Sequence, residues 1–426
     1  MLNRLNTRHA GASQWENKIL PLREQARIRD EWLQERLNTV LPELMRREQL
    51  EMWLVIGREY NEDPVMLSLL PATMLSARRM TVLVFHLPEG GELEALTVSR
   101  YGMPPFYKGD WDPEQEDQWS AIARIVRERN PASIGINCSA DFAFGDGLSH
   151  THYLQLVAAL GPELSLRLRG AERLALGWLE RRTEREKAAY TGVVQIAHGI
   201  IAEAFSSRVI HPGVTRPSDV VWWFRQRTSD LGLSCWFQPS VSIQREGCTQ
   251  VSGNTPILPG DLLHCDFGLH YLGLATDTQQ NAYVLKLGET DAPEGLKAAL
   301  ATGNRLQDIL AEAMVIGRTG NEILLTALEK AQAEGIKASI YTHPIGYHGH
   351  GAGPTIGLWD MQQGVPGRGD YPLYSDTCHA MELNIRQEVP EWNGQEVRIA
   401  LEQDVLCSGG QVHFLGGRQT KLHLIG

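Results

Sequence analysis

Apolar and polar residues in the first 165 positions follow patterns that predict both strands and helices. Three short runs rich in β-branched residues predict strands, and three stretches with apolar residues at helical spacing predict helices. The strands are predicted at 52–57, 80–87 and 133–137, and the helices at 20–47, 119–129 and 152–160. Strands that alternate with helices indicate an α/β domain with a central sheet.

The pattern changes after a charge-rich helical stretch at 170–187, where we place a domain boundary. The sequence therefore predicts an N-terminal domain over 1–175 and a second domain over 176–426. A long helix is predicted at 184–205, and from Cys235 onward the chain is rich in strands. A helical pair at 294–315 and 320–334 interrupts these strands, which indicates an α+β domain.

Composition and charge narrow the class of protein. The 426 residues carry a net charge of −11, which argues against binding nucleic acid by phosphate neutralisation. None of the six cysteines forms a CxxC pair, so free buried thiols are expected rather than a zinc ribbon or a disulfide framework. The first 25 residues lack the apolar core of a signal peptide, and no run is long enough to cross a membrane. We expect a cytoplasmic protein without a membrane partner.

Two aspartates lie in a segment, residues 261–287, that reads as two strands joined by a tight turn. A turn centred between Tyr271 and Leu272 would place Asp266 opposite Asp277 on one face of the sheet. Facing carboxylates repel each other, and apolar neighbours increase the cost. Either one carboxyl group is protonated, as in an acid–base dyad, or a cation lies between them, and the ligands that follow favour the cation.

Two glutamates lie inside apolar, strand-like runs further along the chain. Glu382 is in AMELNI and Glu402 is in VRIALEQDVL. Acidic residues seldom occupy such runs unless they are paired or bind a metal. Strand alternation places Arg398 on the same face as Glu402, so Arg398 could reach the same site and bind substrate.

A glycine-rich segment at 341–360 contributes three histidines, His343, His348 and His350. Its glycines allow close backbone approach, and three histidines in such a loop point to a site. Four carboxylates and one imidazole suit hard or borderline divalent ions, with Mn²⁺ favoured over Co²⁺, Zn²⁺ and Fe²⁺. Such carboxylates can bridge two ions that together activate a water molecule.

At these residues the sequence resembles the M24 metallopeptidases, which include methionine aminopeptidase, aminopeptidase P and prolidase, with creatinase as a metal-free relative. The resemblance covers about 180–426 and implies a pita-bread catalytic domain. It also implies a metal cage, which reads here as Asp266, Asp277, His350, Glu382 and Glu402, with His348 as the alternative imidazole. His343 matches a preceding histidine of the family, which implies a role in orienting substrate.

The resemblance extends to the domain organisation, because the N-terminal region looks like the creatinase-type domain of prolidases and aminopeptidases P. This layout favours a homodimeric enzyme that cleaves Xaa-Pro bonds. Three positions depart from the family pattern. No histidine lies in 249–254, none follows His350 by about seven residues, and Ala400 replaces an arginine, with Arg398 two residues further back.

The resulting hypothesis is hydrolysis of the Xaa-Pro bond in short peptides by a metal-bridging hydroxide. Glu382 would take the proton from the water and pass it to the leaving nitrogen, while His343 or His348 would hold the carbonyl oxygen. One alternative keeps the fold but makes the protein a creatinase-like C–N hydrolase. Another is a catalytically weak member that binds peptides. The aromatic residues Trp222, Trp223, Trp236 and Phe237 would either line a substrate pocket or, as we expect, belong to the core.

Overall fold

The structure is a computed structural model that describes residues 14–248, 250–251 and 253–426. The N-terminal segment without a signal-peptide core therefore lies partly outside the described residues, as do Thr249 and Ser252 in the stretch that lacks the family's histidine. Two compact units make up the chain. The smaller unit is Leu22–Thr183, and the described part of the larger unit comprises residues 14–21 and Glu184–Gly426.

The smaller unit is a mixed six-stranded sheet with helices, as the alternating pattern predicts. The elements are α1 (Leu22–Asn38), α2 (Val40–Arg47), β1 (Met52–Arg58), α3 (Pro64–Leu69), β2 (Met80–His86), β3 (Glu94–Thr97), β4 (Lys108–Gly109), α4 (Gln118–Arg129), β5 (Ile134–Ile136), α5 (His150–Ser165), β6 (Leu168–Gly170) and α6 (Glu172–Glu180). The predicted helix at 20–47 is two helices, α1 and α2, that meet at Thr39. The sheet has the strand order β4-β3-β2-β1-β5-β6, with parallel pairs at β3–β4, β1–β5 and β5–β6.

The larger unit combines helices with two antiparallel-rich sheets, which confirms the α+β prediction. Both helices of the predicted pair are present, at Glu294–Ala313 and Gly320–Ala333. The elements are α7 (Glu184–Ala204), α8 (Pro217–Asp230), β7 (Ser234–Cys235), β8 (Ser240–Gln244), β9 (Leu262–Phe267), β10 (Leu269–Tyr271), β11 (Leu274–Ala275), β12 (Thr278–Val284), α9 (Glu294–Ala313), α10 (Gly320–Ala333), β13 (Lys337–Ile340), β14 (His343–Ile345), β15 (Thr377–Val389), β16 (Gln395–Ser408), β17 (Gln411–Phe414) and β18 (His423–Ile425).

A nine-stranded sheet forms the centre of the larger unit. Six strands follow the order β13-β15-β16-β12-β9-β8, while β14, β17 and β18 pair at their margins. Alternate residues of β15 and β16 point to opposite faces. One face is apolar and packs against α9 and α10 through side chains such as Leu383 and Leu401, which are fully buried. The opposite face carries the acidic residues.

The boundary between the two units lies between Thr183 and Glu184. The boundary expected from the sequence, at 175/176, falls inside α6, which belongs wholly to the smaller unit. All six cysteines are free thiols, but the expected burial holds for Cys265, Cys378 and Cys407 only, since Cys235 is half-buried and Cys138 and Cys248 are exposed. Among the described residues, no helix combines the length and apolar character that crossing a membrane requires.

Candidate metal centre

Four polar side chains form a row across the acidic face of the nine-stranded sheet. Glu382 on β15 is the direct partner of Glu402 on β16, which is in turn the partner of Gln279 on β12. Gln279 is the partner of Asp266 on β9. Because direct partners on neighbouring strands point to the same face, these side chains converge on one region. Gln279 was absent from the sequence-based site.

The predicted pairing of Asp266 with Asp277 is wrong by two residues. The turn is centred on Leu272 and Gly273, whose φ angles of 56° and 79° suit a tight hairpin turn, rather than one residue earlier. Asp266 therefore faces Gln279. Asp277 lies between β11 and β12, and its backbone N–H donates to both oxygens of Asp404 at 3.3 Å.

Asp266 and Asp277 nevertheless meet, as the sequence predicts. Carboxylate oxygens of Asp266, Asp277 and Glu402 all lie within 4.8 Å of one another. Asp277 and Glu402 are 4% and 1% exposed, so their oxygens have little water around them. Two buried carboxylates and one half-buried carboxylate at this separation repel strongly unless protons or cations lie between them.

His343 is the imidazole that lies among these carboxylates. It begins β14, where it pairs with Ala380 of β15. Its Nε2 lies 3.2 Å from Glu402 Oε1 and 3.6 Å from Asp277 Oδ2, and the side chain is 12% exposed. One possible ligand group is His343 with Glu382 and Glu402, and another is His343 with Asp277 and His350. The geometry thus gives His343 the central position that the sequence assigned to His350.

His350 lies beside His343, with ring centroids 4.6 Å apart, and its own side chain is exposed. It remains a candidate ligand with Asp277 and His343. Among the described residues, His348 belongs to none of the possible ligand groups. His343 and His350 are seven residues apart, which is the spacing that the resemblance implies between the metal histidine and a second histidine. The departure noted at that position disappears if His343 is the metal histidine.

Trp236 fixes the segment that carries His350. A Cβ atom at Gly268 or Gly349 would come within 2.3 or 2.2 Å of Trp236 atoms, so both positions need glycine to accommodate the indole. The indole N–H donates to the carbonyl of Thr276 at 2.8 Å, and the His350 ring lies 5.1 Å from the indole. Trp236 therefore ties the histidine segment to the aspartate hairpin.

A hydrogen-bond donor group borders the carboxylates on the same face. Arg398 donates from Nη2 to the hydroxyl of Tyr341 at 2.7 Å, and Asn384 donates to the same oxygen at 3.1 Å. With two donors on its oxygen, the hydroxyl of Tyr341 has its own proton available for an acceptor. Burial raises the pKa of Asp266, and the positive charge of Arg398 offsets part of that rise.

Gln279 connects the two glutamates to a buried histidine. Its Nε2 donates to Glu382 Oε1 at 2.5 Å and to Glu402 Oε2 at 2.9 Å, while its Oε1 lies 2.8 Å from His264 Nε2. His264 is 9% exposed, and burial lowers its pKa to about 4. Side chains two positions apart on a strand point to the same face. This rule, applied to Asp266, Asp277 and Glu402 in turn, indicates His264, Gln279 and Asp404 as further residues of the acidic face.

Burial dominates the electrostatics of the cluster. It raises the pKa of Asp266 to about 6 and, together with the charge of Glu402, that of Glu382 to about 9. The pKa values of Asp277 and Glu402 are also raised, first by burial and then by neighbouring carboxylates. Burial opposes protonation of His343, but Asp277 and Glu402 outweigh it and raise the pKa of the imidazole well above its ordinary value.

The residues fit a pair of divalent cations. Asp266 Oδ1, Asp277 Oδ1, Glu402 Oε1 and His343 Nε2 are buried and complete no hydrogen bond of ordinary geometry among the described residues. Buried polar atoms without partners usually mark an ion or another unmet function. The donor set is mostly oxygen with one imidazole, which suits hard to borderline divalent metals.

The family model for metallopeptidase family M24 matches residues 189–408, just over half of the chain. The chain belongs to the M24 metallopeptidase family. The matched region contains the whole acidic cluster and His343. No curated protein sequence matches the chain at a significant level.

Solved structures confirm the M24 pita-bread fold. An X-Pro aminopeptidase from Thermotoga maritima MSB8 is 15% identical with a TM-score of 0.63, and the match covers 90% of this chain and 99% of that one. An Xaa-Pro dipeptidase from Bacillus anthracis is 16% identical with a TM-score of 0.59, covering 95% and 100%. A prolidase from Pyrococcus horikoshii OT3 is 14% identical with a TM-score of 0.55, covering 93% and 99%. These M24 neighbours span both units.

Proposed function

We propose that this M24 protein hydrolyses peptide bonds in short peptides, with Xaa-Pro as the preferred bond. The observation that carries the proposal is the convergence of four carboxylates and His343 within an M24 match, where Asp266, Asp277 and Glu402 each have a buried oxygen that completes no hydrogen bond among the described residues. The structural neighbours, an X-Pro aminopeptidase, an Xaa-Pro dipeptidase and a prolidase, support the choice of substrate.

The proposed metal ligands are Asp266, Asp277, His343, Glu382 and Glu402, with His350 next to them. Mn²⁺ is the proposed metal because the set is rich in carboxylates. Two bound divalent ions would supply an activated water and neutralise the negative charge that develops on the substrate.

Glu382 is the proposed general base. In the metal-free protein, burial and the charge of Glu402 raise the pKa of Glu382 to about 9, and bound cations would lower it so that the ionised carboxylate could accept a proton. It would take a proton from the attacking water and deliver it to the leaving nitrogen. Glu382 is partly shielded from solvent, which would favour transfer of this proton within the site.

Substrate would be held by groups on either side of the acidic cluster. The Tyr341 hydroxyl and the Arg398 guanidinium offer donors to a carbonyl or carboxylate oxygen. His350 would stabilise negative charge on the opposite side, next to Trp236. The proposal also includes a cytoplasmic location and a homodimer, both of which come from the sequence and the resemblance.

The test is an assay of the purified full chain, loaded with Mn²⁺, on Xaa-Pro dipeptides and tripeptides and on matched Xaa-Ala peptides. We expect faster cleavage of the proline peptides and loss of activity with chelator. Glu396→Gln is the matched control for Glu382→Gln, because Glu396 lies on β16 but pairs with Lys337 outside the cluster. Equal activity of parent and Glu382→Gln would contradict the mechanism. Chelator-resistant turnover of guanidino compounds would favour a creatinase-like hydrolase, and peptide binding without turnover a binding module.

A further inference from the structure

We propose that Gln279, held by His264, is a positioning residue that sets which oxygens of Glu382 and Glu402 face the metal ions. The inference rests on the proposed metal-dependent function. Gln279 is the only amide in the row that Glu382, Glu402, Gln279 and Asp266 form across four neighbouring strands. Its place between acidic residues therefore gives it contact with two of the proposed ligands at once.

The Gln279 amide uses all of its hydrogen-bonding groups in this position. An amide has two N–H donors on nitrogen and an acceptor on oxygen. The nitrogen lies 2.5 Å from Glu382 Oε1 and 2.9 Å from Glu402 Oε2, so that each N–H has its own carboxylate. The oxygen lies 2.8 Å from His264 Nε2.

The chemistry of the neighbours determines the orientation of the amide. Both glutamates would be ionised as metal ligands, so the reverse orientation would direct the amide oxygen at two carboxylate oxygens, neither of which could donate. With the nitrogen facing the glutamates, the amide oxygen accepts from His264, whose Nε2 then carries the proton. His264 thereby prevents the amide of Gln279 from rotating.

The consequence concerns the second oxygen of each glutamate. On Glu402, Oε2 is engaged by Gln279, whereas Oε1 lies 3.2 Å from His343 Nε2 and completes no hydrogen bond of ordinary geometry. The amide thus leaves Oε1 as the atom that faces the other proposed ligands. On Glu382, the same contact occupies Oε1 and leaves Oε2 for an ion or for proton transfer.

Gln280 and His423 form a second glutamine–histidine pair, which does not contact the two glutamates. Gln280 follows Gln279 on β12, points to the opposite face, and accepts from His423 Nε2 through its Oε1 at 2.7 Å. Gln280 is 5% exposed, close to the 3% of Gln279. Both pairs join a glutamine to a histidine, but only Gln279 contacts proposed ligands.

The experiment compares Mn²⁺ binding by the metal-free full chain and its variants, using calorimetry for affinity and electron paramagnetic resonance for coupling between two ions. For Gln279→Leu we expect a loss of affinity of about 10–100-fold and a weaker coupled signal, as for other residues that orient metal ligands. Gln280→Leu should bind Mn²⁺ like the parent. His264→Leu should also lose affinity, and adding it to Gln279→Leu should cause no further loss, since both act through one amide.

Two results would overturn the inference directly. Parental or tighter Mn²⁺ affinity in Gln279→Leu, or equal losses in Gln279→Leu and Gln280→Leu, would overturn the inference while leaving the proposed function intact. If Gln279→Leu does not fold, His264→Leu decides, and parental affinity and coupling in that variant would overturn the inference. A parent that takes up no Mn²⁺ would overturn the proposed function as well.

Discussion

The two faces of β15 and β16 show how one pair of strands serves two opposed purposes. Leu383 and Leu401 are direct partners on the apolar face, fully buried against α9 and α10. Glu382 and Glu402 are direct partners one position away, on the acidic face. The backbone hydrogen bonds of the two strands serve both faces, so the difference lies in the side chains alone.

The comparison shows that the apolar face stabilises the fold, whereas the acidic face destabilises it and carries the candidate site. Burying apolar side chains stabilises the fold, at roughly 25 cal/mol per Å². Burying carboxyl groups side by side destabilises it, and the raised pKa values of Glu382 and Glu402 record that cost. Functional sites are where proteins depart from the rules that stabilise folding.

The largest expected effect on activity comes from removing a carboxylate of the acidic face. Glu382→Gln removes the proposed general base, so kcat/KM on an Xaa-Pro substrate should fall by about 10²–10⁴-fold. The fold should persist, because a glutamine at 382 can still accept from Gln279. Steady-state kinetics at saturating Mn²⁺ would measure the loss, with Glu396→Gln expected to match the parent.

A change on the apolar face should reverse this pattern. Leu383→Ala opens a cavity under α9 and α10 and should lower the free energy of unfolding by about 2–5 kcal/mol. Urea denaturation would measure the loss. Because the side chain points away from the cluster, kcat/KM per folded molecule should match that of the parent. A selective loss of activity with unchanged stability would show that the two faces are not independent.

The pH dependence of the metal-free protein sharpens the comparison. The pKa of Glu382 is about 9 in the folded state against 4.5 as the ordinary value. A raised pKa contributes stability that is complete below pH 4.5 and is lost as the pH rises through 9. Chelator-treated parent should therefore lose stability between these values, by an amount on the order of a few kcal/mol.

Glu382→Gln tests the origin of this slope, because glutamine does not ionise. Thermal unfolding of the chelator-treated variant should depend less on pH than that of the parent, and the variant should be the more stable of the two at alkaline pH. Glu396→Gln should retain the parental slope. The same slope in parent and Glu382→Gln would refute the assignment.

The smallest effect concerns the edge of the acidic face. Arg398→Met removes the guanidinium that contacts Tyr341 and should raise KM about tenfold, as expected for one hydrogen bond to a charged group, with little change in kcat. Arg386→Met is the matched control, because Arg386 is the direct partner of Arg398 on β15 but has a side chain 58% exposed. Equal KM values in the two variants would remove Arg398 from the substrate site.

Local patterns predicted most of the elements. Runs of β-branched residues predicted strands such as β1 and β2. The position of Glu382 and Glu402 inside apolar runs indicated that they belong to a site. The hairpin register was missed because Leu272 adopts a positive φ angle, which a leucine rarely does. A turn centred one residue later shifts each cross-strand pair by two.

The central position of His343 could not be predicted from local patterns. The GHGAG motif drew attention to His350, whereas the position of His343 among the carboxylates depends on pairing between β14 and β15, over 30 residues apart in sequence. Local sequence patterns do not predict contacts between segments that are distant in the sequence. The metal, the homodimer and the cytoplasmic location remain predictions.

The most direct test of the central claim is a crystal structure of the protein grown with Mn²⁺, with anomalous scattering recorded to locate manganese. We predict two manganese peaks about 3.5–4 Å apart, the spacing of two-metal hydrolytic sites. Asp266, Asp277, Glu382 and Glu402 should surround them, with His343 as the imidazole ligand. Absence of manganese from this cluster, with the four carboxylates turned apart, would contradict the account.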